Sequence, residues 1–152
     1  MTIAASLSSR YARLEAHQTV QLWVLVSFLL TFGIVRAITH LQKAGLLPNQ
    51  TGDGLHIHHL VPGIILLLVS GYLGLAAWSH PRGRLVAAIL FGIGAALTID
   101  EFALWLFLED VYWAREGRDS IDAAIIVGVL LGLGVLVSGF GTRSRPPPGP
   151  NP

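Results

Sequence analysis

LVAAILFGIGAALTIDEFALWLFL, residues 85–108, is a 24-residue apolar run whose only charged members are Asp100 and Glu101. A helix of that length rises about 36 Å, enough to cross roughly 30 Å of hydrocarbon. In lipid each backbone N–H and C=O needs a partner inside its own segment, so a single crossing of this kind is a helix. Three more runs of similar character lie at about 20–39, 60–78 and 123–140. The expected fold is therefore all-α: a polytopic membrane protein built as a four-helix transmembrane bundle over 20–140.

Composition agrees with lipid as the solvent. The 152 residues are 53% hydrophobic and 12% charged, too little charge to clothe a soluble domain of this size. A net charge of +1 with no basic patch speaks against a nucleic-acid partner. Cysteine is absent, which excludes disulfides, thiolate ligands and cysteine nucleophiles. The partners to expect are the bilayer itself and a second copy or another membrane protein.

Arginine placement gives the expected orientation. Arg10 and Arg13 precede the first run, Arg82 and Arg84 lie between the second and third, and Arg143 and Arg145 follow the fourth. These segments alternate so as to share one side, which the positive-inside rule makes cytoplasmic. Both termini are then cytoplasmic in a multi-pass plasma-membrane protein. Residues 1–19 form a cytoplasmic tail in which Leu7, Tyr11 and Leu14 have the spacing of an interfacial helix. Residues 141–152 end in RSRPPPGPNP, a proline-rich segment of disordered composition. The first run is too long, and too far from the start, for a signal peptide, and no A-x-A-like site follows it. Gly128 and Gly132 form a small-xxx-small pair that suits close helix packing.

Two polar clusters fall on the opposite, extracytoplasmic side. One is His56-Ile57-His58-His59, directly before the second run, after the turn signal Thr51-Gly52-Asp53-Gly54. The other is Asp100-Glu101, with Glu109 and Asp110 beyond it, and His40 closes the first run on the same side. Asp100 and Glu101 lie about 10–12 Å inside the end of their helix and point about 100° apart. A charge at such depth costs roughly 2.5–3.5 kcal/mol on insertion scales and calls for compensation.

Three compensations fit the residues. The acids can take protons; Asp100 or Glu101 can pair with Arg36, one turn inside His40; or a metal can be held. A mixed set of His56, His58, His59, Asp100 and Glu101 suits a divalent zinc, iron or manganese ion. Arg36, His40 and Glu109 would then stand around it. A helical HIHH puts His56 and His59 on one face, and an extended one puts His56 and His58 together. On this reading the protein has a polar, metal-binding His/Asp/Glu site open to the extracytoplasmic face. If it is an enzyme, Asp100 or Glu101 is the catalytic base of a metal-dependent hydrolase or oxidase. The alternatives are an ion or proton transporter working through the Asp-Glu pair, or a non-catalytic membrane subunit. The half of the bundle below the acids reads as dry. Structural readings weigh against all of these: an interfacial histidine cluster can simply meet headgroups, and an Arg36–acid pair can be purely architectural.

HIHH together with TIDEFALWLFLEDVYWAREGR resembles a small bacterial family of integral membrane proteins, actinobacterial in type, with no assigned function. The resemblance covers the second and third runs and the loop after them. It implies that the two motifs belong together, and no activity.

Overall fold

The computed structural model describes residues 16–48, 58–76, 80–108 and 118–143. The described residues are helical with short turns: α1 Ala16–Lys43, α2 Leu60–Ala76, α3 Pro81–Asp100, α4 Phe102–Phe107 and α5 Arg118–Arg143. Three stretches, Gln18–Lys43, Pro81–Asp100 and Arg118–Ser138, are long and apolar enough to cross a membrane. The apolar α2 is shorter, at 17 residues. Large apolar side chains cover the outside of the bundle, among them Leu30, Leu68, Leu75, Ile126 and Val137. A surface of this kind suits hydrocarbon and would be an aggregation hazard in water.

α1 and α5 run longer than the apolar stretches that announced them. α1 takes in Ala16–Thr19 at its start and ends in a Schellman turn, with Leu46 N–H on Leu41 O (2.9 Å) and Gly45 N–H on Gln42 O (3.0 Å). Gly45 takes the positive φ of 73° that this turn needs. Pro81 opens α3, where its missing N–H is no loss. Residues 1–15, the 49–57 segment with His56, the 109–117 segment with Glu109 and Asp110, and the proline-rich end lie outside the described residues.

Contacts fix an up-down-up-down order. Gly92 of α3 lies on Ser27, Val24 and Phe28 of α1, and Arg36 meets Asp100 eight residues further on, so α1 and α3 run parallel. Gly94 rests on Gly63 and Leu67 of α2 while Thr98 approaches Gly63, so α2 runs the other way. Ser138 of α5 bonds Gln21 near the start of α1, which makes that pair antiparallel too.

α3 is the centre. Its buried positions are small: Ala87, Ala88, Gly92, Gly94, Ala95, Ala96 and Thr98, followed by Asp100. Gly92 and Gly94 are two residues apart and so face opposite ways. A Cβ on Gly92 would lie 2.5 Å from the Val24 carbonyl oxygen, and one on Gly94 would lie 2.9 Å from Gly63 O. Each glycine lets one neighbouring helix approach. Gly128 and Gly132 do not play this part: Gly132 has nothing within 4 Å, and the contacts around Gly128 are ordinary. Phe28, stacked on Phe32 at 6.3 Å, packs with Ala95, Ala96 and Ala124 to form the apolar centre.

The lower half of the bundle carries a few buried polar side chains within its apolar packing. Gln18, Ser27 and Ser70 are buried there. Ser27 Oγ donates to Trp23 O (2.6 Å) and Ser70 Oγ to Leu67 O (3.0 Å), so these hydroxyls are spent within their own helices.

Gly92→Ala should destabilise the folded protein by about 1–3 kcal/mol, since a rigid backbone oxygen occupies the new methyl's place. Gly132→Ala should lie within about 0.5 kcal/mol of wild type. Unfolding of both variants in the same detergent checks the contrast.

Candidate functional site

At Glu101 the central helix breaks. Its backbone leaves helical values (φ −104°, ψ 28°), separating α3 from α4. Hydrogen bonds shift register there: Leu104 N–H goes to Glu101 O (3.0 Å), not to the Asp100 carbonyl one residue earlier. The Ala103 N–H turns to Ser120 Oγ of α5 (3.1 Å), and the Asp100 carbonyl receives Arg36 Nη2 (3.4 Å). Broken helices are tolerated at membrane depth where neighbouring helices take up the released groups, as Ser120 and Arg36 do here.

The break is where the two acids sit, and both are buried: Asp100 is 0% exposed and Glu101 6%. Arg36 Nε lies 2.5 Å from Asp100 Oδ1, so the guanidinium holds both the carboxylate and the backbone carbonyl of one residue. Phe32, one turn earlier on α1, lies under that guanidinium at 5.4 Å. The other Asp100 oxygen, Oδ2, faces His59 Nε2 at 2.9 Å.

His59 is the hinge of the arrangement. Its second ring nitrogen, Nδ1, lies 3.3 Å from Glu101 Oε1, so the imidazole spans the two carboxylates. Neutral imidazole has one N–H and one lone pair, and a lone pair aimed at a carboxylate oxygen repels it. Two carboxylate partners therefore favour the doubly protonated imidazolium. Burial by itself lowers the His59 pKa, but the hydrogen bond to Asp100 and the fields of both carboxylates outweigh burial and the opposing Arg36. The net displacement is upward. His58 Nδ1 also reaches Glu101 Oε1 (3.0 Å), and the Leu60 N–H at the start of α2 donates to Glu101 Oε2 (3.0 Å).

Of the residues marked in the sequence, Arg36, His58, His59, Asp100 and Glu101 come together. His40 lies one turn beyond Arg36 on α1 and donates from Nδ1 to the Arg36 carbonyl (2.8 Å). His56 and Glu109 fall outside the described residues. The histidines that meet the acids are the adjacent pair His58 and His59, because the chain is turning into α2 and neither a regular helix nor a strand relates them. Among the described residues no group of three or more His, Asp or Glu side chains is arranged to hold a metal ion. The oxygens of Asp100 point at Arg36 and His59 instead. Ser120 joins these residues through the Ala103 N–H, and nothing in its sequence neighbourhood signals a place at the site.

No protein-family model matches this chain, and neither curated proteins nor solved structures give a match. The reading of the site therefore stands on its own geometry.

Arg36→Ala should destabilise the protein by about 3–5 kcal/mol, because it leaves a buried carboxylate without its cation. The His59 contribution has the opposite pH sense from that of a paired acid. A raised folded pKa adds stability that is complete below the ordinary imidazole value, and that is lost as pH rises through the raised one. Thermal unfolding of wild type and His59→Gln from pH 5 to 9 should show the gap between them closing toward high pH. A constant gap would contradict the imidazolium assignment.

Proposed function

We propose that this chain is a four-span plasma-membrane protein of the transporter class, with both termini cytoplasmic and a proton-exchanging centre facing the extracytoplasmic side. The up-down-up-down order supports four crossings, with α2 and the apolar residues that follow it as the shortest. The arginine pairs at 10 and 13, 82 and 84, and 143 and 145 support the orientation, since the polar centre lies at the other end.

One observation carries the functional reading: His59 stands with both ring nitrogens on carboxylates that belong to neighbouring residues. In that geometry a proton can pass from His59 to a carboxylate over a single hydrogen bond. The two acids have different surroundings. Asp100 is tied to Arg36 and serves as a fixed counter-ion, whereas the partners of Glu101 among the described residues are imidazoles and a backbone amide. Glu101 is accordingly the exchanging acid, and His58 is its route to the bundle mouth. Intramembrane acids of this kind are the usual elements of proton relays. Below the site, Phe28, Ala95 and Ala96 close the bundle, so passage through it requires the helices to move apart or a second copy to contribute.

A second reading, a divalent zinc, iron or manganese ion, draws on the donor set: two imidazoles and two carboxylates meet within hydrogen-bond distance. A metal would have to displace the His59 protons and compete with Arg36 for Asp100. In that case a metal-dependent hydrolase or oxidase remains the enzyme class to test.

Liposomes carrying the purified protein should take up protons under an imposed gradient. Glu101→Gln should abolish uptake, and Asp100→Asn should reduce it while also lowering stability. Wild-type uptake unchanged in Glu101→Gln would reject the reading. Elemental analysis of the same preparation separates the alternative: a stoichiometric metal lost in both His58→Ala and His59→Ala would favour the ion.

A further inference from the structure

We infer that Ser120 is a positioning residue for the Asp100–Glu101 pair, acting from another helix through the backbone and touching neither acid. This rests on the proton-exchange reading and adds a residue to it. Adjacent residues of a continuous helix project about 100° apart, which would turn one acid away from His59. The break at Glu101 removes that constraint and lets Asp100 Oδ2 and Glu101 Oε1 meet one imidazole from its two sides.

A break in the middle of a buried helix strands backbone groups, and a stranded buried N–H costs about 1–3 kcal/mol. The Ala103 N–H is such a group. Ala103 is buried, its N–H has left the helical ladder, and its partner is the hydroxyl of Ser120, 1% exposed, at 3.1 Å. Without that acceptor the cheapest repair is to restore the ladder, with Ala103 N–H returning to the Ile99 carbonyl. Restoring the ladder straightens the helix through Glu101 and swings the two carboxylates apart. Ser120 thus holds the conformation in which the acids converge. The groups that face His59 are Arg36 from α1, its neighbour His58, and Asp100 and Glu101 from the break; Ser120 acts on the last two alone.

The test uses the full chain in detergent micelles, with ¹⁵N-labelled histidine. In wild type at neutral pH, His59 should show two protonated ring nitrogens. Ser120→Ala should convert most of that population to a singly protonated ring and cut proton uptake in liposomes at least tenfold. Ser120→Thr, which keeps the acceptor, should restore both. Ser27→Ala removes a buried hydroxyl that bonds only its own helix, and should change neither.

A folded Ser120→Ala protein with wild-type His59 signals and wild-type uptake overturns the inference. If Ser120→Ala yields no folded protein, Ser120→Cys keeps a weak acceptor of similar size. It should show a partial loss of the doubly protonated form, and unchanged signals in it overturn the inference equally. Failure of the underlying reading looks different: wild-type His59 itself would show only one protonated nitrogen.

Discussion

Two neighbouring carboxylates buried inside an apolar bundle set the terms for everything around them. Each needs positive charge or hydrogen-bond donors close by, and among the described residues the flanking helices and the turn into α2 deliver them. α1 supplies Arg36, whose guanidinium reaches both the side chain and the carbonyl of Asp100. The turn into α2 supplies His58, His59 and the Leu60 amide. α5 supplies the serine that makes the helix break affordable. Remove the acids and none of these placements has a reason.

The way α3 is built makes that convergence feasible. Arg36 and His59 come from opposite sides, so both neighbours must lie close to the central helix along its length. Gly92 admits α1 and Gly94 admits α2, and Gly63 meets Gly94 from the facing helix. Alanines fill the rest of the buried face, keeping the separation small as the chain approaches Asp100. Small residues bring the backbones together, and the close backbones bring the long polar side chains into register. Packing in one half of the bundle is thus a condition for the chemistry of the other.

Much of this could be read from sequence because its signals are local or energetically large. Long apolar runs announce helices, and an acid pair in such a run demands a partner. Arg36 lies at a matching depth on another run, and the histidines lie at the right end of the next. What sequence could not supply was which glycines lie at contacts, since Gly92 and Gly132 look alike until neighbours are assigned. Nor did it supply the break at Glu101. Nothing in Thr98-Ile99-Asp100-Glu101-Phe102 is a glycine or proline, and the break is sustained by a hydroxyl seventeen residues away. The buried serines of the lower half bond their own helices and so are compatible with an apolar bundle.

The helices differ in length, and that difference has a consequence for the surrounding lipid. α1 and α5, with 28 and 26 residues, are about 42 and 39 Å long, whereas the 17 residues of α2 reach only about 26 Å. Because His59, just before α2, and Arg36 both meet Asp100, α1 continues about 10 Å past that level before it ends at Lys43. The helical rim therefore has a step, with the charged cluster on the lower tread. In a bilayer matched to the long helices, α2 would offer a shorter apolar wall, and local thinning beside it would cost only a fraction of a kcal/mol per Å. In such a membrane its thickness would set how deeply the buried acids lie.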